Sequence, residues 1–238
     1  MPGQTMNKAE TLEPLLTALC GAPPPSQLAG HLAALAQEVR VARGGSAPLD
    51  HRRDLFVYIA QGSTKLVASA SAGREQIVAF HFAGDIVSVP AHSLHSYSLN
   101  ALEPTHLLIF PASEMHAAIA GNPAVLTGLL QRVLTALHRC RDKAVGLGRK
   151  NAGERVASFL VGMAERIGHA EGGEITLDLP MSRRDIADSL GLTIETVSRQ
   201  FSEMRSAGWL RTQGRAHVRL LQPATLAAHA GHVELRSP

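Results

Sequence analysis

The spacing of apolar residues indicates a β-rich region in the middle of the chain. Between Asp54 and Phe110, short apolar runs are separated by turn residues such as Gln61-Gly62-Ser63 and Ala83-Gly84-Asp85. Evenly spaced short strands of this kind are typical of an antiparallel barrel or sandwich. The pattern predicts strands at LFVYIA, KLVASA, QIVAFHF, DIVSV and THLLIF.

Two other patterns precede this region. The sequence Gly21-Ala22-Pro23-Pro24-Pro25 is a cluster of breaker residues, and we interpret residues 1–25 as an N-terminal tail that ends there. From Ser26 to Val41 the apolar residues follow helical spacing, which predicts a helix before the first strand. These residues are Leu28, Leu32, Leu35, Ala36 and Val39.

A long amphipathic helix is predicted after Gly121-Asn122-Pro123. Its apolar residues repeat at alternating intervals of four and three, which is a heptad pattern. Such a narrow stripe fits a helix that faces its own core, and it also fits a helix that pairs with its own copy. We favour the second interpretation because the stripe is long and strictly a/d, and it predicts a parallel homodimer. The seam would contain Leu126, Leu130, Val133, Leu137, Cys140, Ala144 and Leu147.

The C-terminal part shows two short helices joined by a tight turn. A helix over Ala152–Ile167 and a strand over Ile175–Leu179 come first. Ser182 and Asp185 then form a capping-box pattern at the start of a helix over Arg183–Leu190. Gly191-Leu192-Thr193 can end this helix and cap the next one, which is predicted to begin near Ile194 and to end near Ser206. This arrangement is the signature of a helix-turn-helix.

A β-hairpin is predicted beyond the second helix. Its strands, Trp209–Thr212 and His217–Leu221, flank Gln213-Gly214-Arg215. Such a hairpin next to a helix-turn-helix is called a wing. Its arginines, Arg211, Arg215 and Arg219, could contact phosphates.

Charge and composition add a polyanionic partner to this picture. Residues 1–140 hold nine basic and nine acidic residues and residues 141–238 hold 14 and 11, so the net charge of +3 lies in the C-terminal part. A basic module attached to a neutral one suggests contact with nucleic acid, although a solvated surface has the same composition.

The cellular setting follows from what the chain contains. Two cysteines, Cys20 and Cys140, fit a reducing cytosol. No apolar run approaches the ~20 residues that cross a bilayer, and the N-terminus lacks the pattern of a signal peptide, so we expect a cytoplasmic protein without a membrane partner. Enzyme motifs such as a Gly-rich phosphate loop, G-x-S-x-G or H-E-x-x-H are not found, and we do not expect an enzyme.

Three segments resemble the Crp/Fnr superfamily of transcription regulators, in particular its Fnr/FixK branch. They are Met181–Leu210 (MSRRDIADSLGLTIETVSRQFSEMRSAGWL), Lys150–Leu160 (KNAGERVASFL) and Phe80–Val87 (FHFAGDIV). The resemblance runs from about residue 30 to residue 222. It implies an α+β fold with an antiparallel β-roll, similar to a cyclic-nucleotide-binding jelly roll, over residues 26–120. A dimerisation helix over 121–148 and a winged helix-turn-helix over 149–238 would follow.

The resemblance also implies a function. The chain would be a homodimeric regulator, and an activator, that binds double-stranded DNA at a TTGAT-N4-ATCAA-like palindrome and contacts RNA polymerase. Its target genes would serve low-oxygen or nitrogen-oxide metabolism.

Glu195, Ser198 and Arg199 are the candidate base-reading residues. They lie at i, i+3 and i+4 of one helix and therefore share a face. An arginine can donate two hydrogen bonds to guanine, and a carboxylate can accept one from cytosine N4. By resemblance, Glu195 and Arg199 read the central G·C pair of the half-site, and Ser198 tunes an outer position. The competing interpretation is an ordinary surface Glu–Arg pair.

Other residues of the motif are candidates for contacts with the DNA backbone. Helix N-termini and exposed arginines suit phosphate oxygens, whereas each of these residues could equally be a solvated surface group. The set contains Ser182, Arg183, Arg184, Thr193, Thr196, Arg211 and Arg215.

The sequence gives less information about which effector the predicted β-roll would bind. A cyclic nucleotide needs a cation for its phosphate, yet no Lys or Arg occurs from Glu75 to Gln131, so we expect no cyclic nucleotide. Two cysteines cannot hold a four-Cys iron–sulfur cluster within one subunit. His81, His92 and His95 form a weak candidate effector pocket, because histidine binds metals and haem.

Two interpretations therefore stay open for the signal, although we expect no cofactor. The histidines are either haem ligands of a sensor for nitric oxide or carbon monoxide, or scattered polar residues. Cys140 is either a reduced thiol or the site of a redox-controlled disulfide between subunits.

Overall fold

The computed structural model describes residues 8–21, 26–69 and 73–231. The chain divides into two compact units, residues 1–138 and 139–238, and the boundary lies within one long helix. Within the described ranges, no helix is both long and apolar enough to cross a membrane.

The first unit is a β-roll preceded by two helices, α1 (Lys8–Cys20) and α2 (Ser26–Leu35). Its strands pair in antiparallel fashion in two sheets, with the orders β1-β7-β2-β5 and β4-β3-β6. The predicted antiparallel roll is therefore confirmed. The strands are β1 (Gln37–Val41), β2 (Leu55–Gln61), β3 (Ser63–Ser69), β4 (Glu75–Phe82), β5 (Ile86–Val89), β6 (Ser96–Ala101) and β7 (Thr105–Pro111).

The interior of the roll is filled by aliphatic side chains from both sheets. Alternation along β2 sends Val57 and Ile59 inward, while Phe56 and Tyr58 join a second cluster with α1 and α2. Facing Val57 and Ile59 are Leu66 of β3, Leu99 of β6 and other apolar residues of the same cluster. Burial of apolar area on both faces of the first sheet is the main stabilising term of this unit.

Two helices follow the roll, α3 (Ala112–Ile119) and α4 (Pro123–Arg149). The first turns of α4 bury Val125 and Leu129 in the same cluster as α1. Gly128 faces α1 so closely that a Cβ added there would overlap the carbonyl group of Leu19. The absence of a side chain at Gly128 thus allows the two backbones to meet.

Two predictions for the N-terminal region are wrong. The segment interpreted as a tail contains α1, whose Leu12, Leu15, Leu16 and Leu19 are buried at helical spacing; residues 1–7 and 22–25, with the proline cluster, lie outside the described residues. The helix predicted over Ser26–Val41 ends at Leu35. Val39 instead lies on β1 and pairs with Leu107 of β7, because pairing with a distant strand outweighs a local helical pattern.

As far as the structure describes it, to residue 231, the second unit contains the C-terminal segment of α4 followed by four helices and a four-stranded antiparallel sheet, in the order β10-β11-β9-β8. Three of these helices, α5 to α7, have the bounds that the sequence predicted. Strands β9, β10 and β11 differ by about one residue from their predicted positions, and β8 was not predicted. The elements are α5 (Ala152–Ile167), β8 (His169–Glu171), β9 (Glu174–Asp178), α6 (Arg183–Leu190), α7 (Ile194–Ser206), β10 (Leu210–Gln213), β11 (His217–Leu220) and α8 (Pro223–His229).

Gly128→Ala is expected to lower the free energy of unfolding by ~1–3 kcal/mol, because the added methyl group overpacks the contact between α1 and α4. Gly146→Ala on the same helix is the matched control, since its Cβ meets only the side chain of Lys150, at 3.9 Å. The control should gain ~0.5–1 kcal/mol in helix stability. Urea unfolding followed by circular dichroism measures both, and equal effects would contradict the close backbone approach.

Candidate nucleic-acid interface

The N-terminus of α6 is fixed by a reciprocal cap. The amide of Asp185 donates to Ser182 Oγ at 3.1 Å, and the amide of Ser182 donates to Asp185 Oδ2 at 2.8 Å. Both bonds satisfy backbone donors that a helix start leaves without partners. The predicted capping box is therefore present, and it fixes where α6 begins.

A short turn connects α6 to α7. Gly191 adopts the left-handed conformation, with a φ of 63°, and its amide donates to the carbonyl of Ala187. Thr193 then caps α7 by accepting a hydrogen bond from the amide of Thr196 at 3.2 Å. Both residues act as the sequence predicted.

The two faces of α7 differ sharply in burial. Val197, Phe201 and Met204 are buried in the second unit. Glu195, Ser198 and Arg199 are exposed, so the structure places the three predicted base-reading residues together on the solvent side of the helix. A helix presented in this way can enter a major groove with its polar residues toward the base edges.

Electrostatics keeps this surface charged. The pKa of Glu195 is lowered because its carboxylate accepts hydrogen bonds from its own backbone amide and from the Thr193 hydroxyl, and Arg184 adds a smaller attraction. Arg199 Nε lies 3.7 Å from Glu203 Oε1, with both side chains mostly exposed. Exposed pairs of this kind are weak, so the guanidinium of Arg199 can exchange this carboxylate for another acceptor.

The predicted phosphate-contacting residues fall into two groups. Arg184, Arg211 and Arg215 are exposed, and Ser182, Thr193 and Thr196 surround the starts of α6 and α7. Arg183 differs, because its guanidinium lies over the ring of Phe201, 3.1 Å from the centroid. Burial there lowers the pKa of Arg183 to about 10, which leaves the side chain protonated at neutral pH.

The wing strands place their arginines unequally. Arg211 lies opposite Arg219 in the pairing of β10 with β11, and Arg215 lies in the turn between the strands. Arg219 forms an ion pair with Glu174 of β9. Since Glu174 already neutralises Arg219, Arg211 and Arg215 are the better candidates for an outside partner.

The predicted dimer seam is an exposed apolar stripe on α4. The exposed fractions are 39% for Leu126, 58% for Leu130, 48% for Val133 and 41% for Leu137. Cys140, a free thiol, and Ala144 are also exposed, and Leu147 is exposed to 36%. Pairing with a second copy stays a prediction, for which this stripe is the structural basis.

The candidate effector histidines differ in burial. His81 is half-buried, with Nδ1 3.8 Å from Asp85 Oδ2, whereas His92 and His95 are exposed in the loop after β5. Among the residues that the structure describes, no three His, Cys, Asp or Glu side chains are grouped to hold a metal ion. That these histidines are haem ligands stays a hypothesis.

Sequence reasoning did not single out a polar cleft at the edge of β1 and β7. The cleft has a volume of about 440 Å³ and is lined by Arg40, Gln61, Thr105 and His106, among others. His106 is buried, and its Nε2 lies 2.8 Å from Glu38 Oε1. The available signal was a histidine within the otherwise apolar strand THLLIF.

Comparison with known proteins agrees with this geometry. Residues 154–229 match the Crp-like helix-turn-helix domain. The chain is 36% identical over 175 residues to the nitrogen fixation regulation protein FixK of Bradyrhizobium diazoefficiens, covering 74% of this chain and 73% of that protein. It is 32% identical over 184 residues to the transcriptional activator protein FnrL of Cereibacter sphaeroides, covering 76% and 74% respectively. The structure of FixK2 from Bradyrhizobium japonicum superposes with a TM-score of 0.70 at 32% identity, covering 81% of this chain and 96% of that chain.

Ser182→Ala is expected to lower the free energy of unfolding by ~0.5–2 kcal/mol, because the amide of Asp185 loses its acceptor. Ser206→Ala, at the exposed C-terminal end of α7, should change stability by less than ~0.5 kcal/mol. Thermal unfolding of both variants, compared with the parent protein, tests the difference. A loss for Ser206→Ala as large as that for Ser182→Ala would argue against the cap.

Proposed function

Because the chain belongs to the Crp/Fnr family of DNA-binding transcription regulators, in its FixK-like branch, we propose that it is an activator that binds a TTGAT-N4-ATCAA-like palindrome as a homodimer. The relatives are transcription regulators and not enzymes, and the chain is a regulator of the same kind.

The observation that carries the proposed target is the exposed triplet on α7. Arg199 has two parallel donors that match the O6 and N7 atoms of guanine. Glu195 is an acceptor for cytosine N4, and its ionised form is favoured by the hydrogen bonds described above. We assign these two residues to the central G·C pair of each half-site and Ser198 to an outer position.

The phosphate contacts complete the interface. Arg184, Arg211 and Arg215 are exposed cations, and Ser182, Thr193 and Thr196 lie at the starts of α6 and α7, where the helix dipole favours an anion. Arg183 has a different role, because its guanidinium packs on the ring of Phe201, on the buried face of α7.

The dimer is supported by the stripe from Leu126 to Leu147. Exposed apolar residues at a/d positions are stabilised when two copies of the helix pair. A two-fold dimer presents two recognition helices about one DNA turn (~34 Å) apart, which matches a palindrome. As an activator, the dimer would also contact RNA polymerase.

The signal is proposed from the relatives and from the roll. One relative is named for nitrogen fixation regulation and another as a transcriptional activator, which supports an activator. Target genes of low-oxygen or nitrogen-oxide metabolism are proposed from the resemblance to the Fnr/FixK branch. We expect no cyclic nucleotide, because no Lys or Arg that could pair with its phosphate occurs from Glu75 to Gln131. The exposed thiol of Cys140 within the seam favours redox control as the second candidate.

The test is a gel-shift titration of the purified protein with a TTGAT-N4-ATCAA duplex and with a scrambled duplex, together with an absorption spectrum. Selective binding by a colourless protein is the expected result. A Soret band, or selective binding only after haem is added, would support a haem sensor instead. Selective binding that appears only after reduction would favour control through Cys140.

Arg199→Ala is expected to lower affinity for the matched duplex by ~1–3 kcal/mol and to remove the preference for G·C at the central pair. The measurement is a titration against duplexes that carry each of the four base pairs at that position. Unchanged discrimination at the pair would show that another residue reads it.

Arg211→Ala is expected to weaken binding to matched and scrambled duplexes by the same factor and to reduce the slope of log affinity against log salt by ~1. The reason is the loss of one phosphate contact, which carries no sequence information. Titrations at several salt concentrations test this. A change in base preference would contradict the assignment of Arg211 to the DNA backbone.

A further inference from the structure

One arginine joins the ends of two helices in the second unit. Arg155, in the first turn of α5, donates from Nη2 to the carbonyl of Leu147 at 2.7 Å and from Nε to that of Lys150 at 2.9 Å. Its Nη1 donates to the carbonyl of Leu190, the last residue of α6, at 3.1 Å. A single guanidinium thus binds the C-terminal ends of α4 and α6 together.

The chemistry of helix ends explains why an arginine suits this position. The last carbonyls of a helix have no intrahelical donor, and the helix dipole concentrates partial negative charge there. A guanidinium carries its charge on a planar fork with five donors, so it can serve several carbonyls at fixed angles. Lysine has one nitrogen and cannot reproduce this geometry.

A second contact lies one helical turn before Leu147. Lys143 Nζ lies 3.2 Å from Oγ of Ser189, which is buried in α6. The ammonium group of Lys143 is held largely out of water, and this burial lowers its pKa to about 8. Because Lys143 and Leu147 are at i and i+4, they lie on one face of α4.

The clamped end of α6 leads directly to the recognition helix. Gly191 follows Leu190, and two residues later Thr193 caps α7. Leu147 also packs close to Gly191, since a Cβ added to this glycine would lie 3.7 Å from Leu147 Cδ2. A displacement of α6 against the C-terminal segment of α4 would therefore move Glu195 and Arg199.

We propose that Arg155 and Lys143 are positioning residues that hold the recognition helix at one angle to the dimerisation helix, and that this clamp makes DNA binding selective for the spacing between half-sites. The inference rests on the proposed function, because it requires two copies paired along α4. Neither residue needs to contact DNA.

The angle between the recognition helix and the dimerisation helix determines which spacing between two half-sites the dimer can bind. Adding or removing one base pair shifts a half-site by ~3.4 Å and rotates it by ~35° about the DNA axis. A dimer with fixed recognition helices loses one half-site when this happens, whereas a dimer with loosened helices can follow it.

The experiment compares affinities of the full-length protein for palindromes with N3, N4 and N5 spacers and for a duplex with one half-site. The variants are Arg155→Lys, Arg155→Met and the milder Lys143→Met, which tests the clamp even where Arg155→Met fails to fold. Arg149→Met, an exposed arginine at the end of α4, is the matched control for charge and stem. Arg184→Met, a proposed phosphate contact, should weaken all duplexes equally.

The expected result is a preference for N4 of ~10-fold or more in the parent protein and in Arg149→Met, falling to ~3-fold or less in Arg155→Lys and Arg155→Met. Lys143→Met should give an intermediate ratio, and half-site affinity should change little. A merely unstable variant would bind every duplex more weakly by one factor. Parental spacing ratios in all clamp variants would therefore overturn the inference. No selective binding by the parent protein would overturn the proposed function itself, and the clamp's role with it.

Discussion

Every α-helix leaves four amide hydrogens at its start and four carbonyl oxygens at its end without intrahelical partners, and the second unit is organised around this constraint. Asn151, Ser182 and Thr193 cap the starts of three successive helices. Gly191 and Arg155 bind carbonyls at the end of α6, and Arg155 also binds the carbonyl of Leu147 near the end of α4. Because each cap fixes a helix boundary, the caps together determine where the exposed side chains of α7 lie.

The long helix α4 serves two purposes with neighbouring residues. Val125 and Leu129 are buried in the first unit, whereas Leu126 and Leu130 are exposed one position later. Two apolar stripes on one helix bury one face within the chain and leave the other exposed, where the proposed dimer would cover it. A narrower apolar pattern could supply only one of these surfaces.

The parts of the fold that the sequence predicted well are those set by local chemistry. The bounds of α5, α6 and α7 follow from caps, a turn glycine and helical periodicity, all of which involve residues close together in the chain. The features that the sequence did not predict depend on residues far away in the chain. β1 forms because it pairs with β7, the carbonyls bound by Arg155 come from two other helices, and Arg183 packs on a ring eighteen positions away. The shared exposed face of Glu195, Ser198 and Arg199 could be predicted because they lie on one short helix, whereas the buried His106 and its cleft required the folded roll.

The ion pair between Arg199 and Glu203 has a consequence for how the protein would search a genome. With Glu195 nearby, the central cation of the recognition helix is flanked by carboxylates that phosphates repel. On the proposed function, contact with random sequence would exchange this weak pair for a phosphate, without the two directional bonds that a guanine offers. On the proposed function, these two acidic side chains would lower affinity for DNA in general more than affinity for a target, and so would sharpen the contrast between a target and the rest of the chromosome.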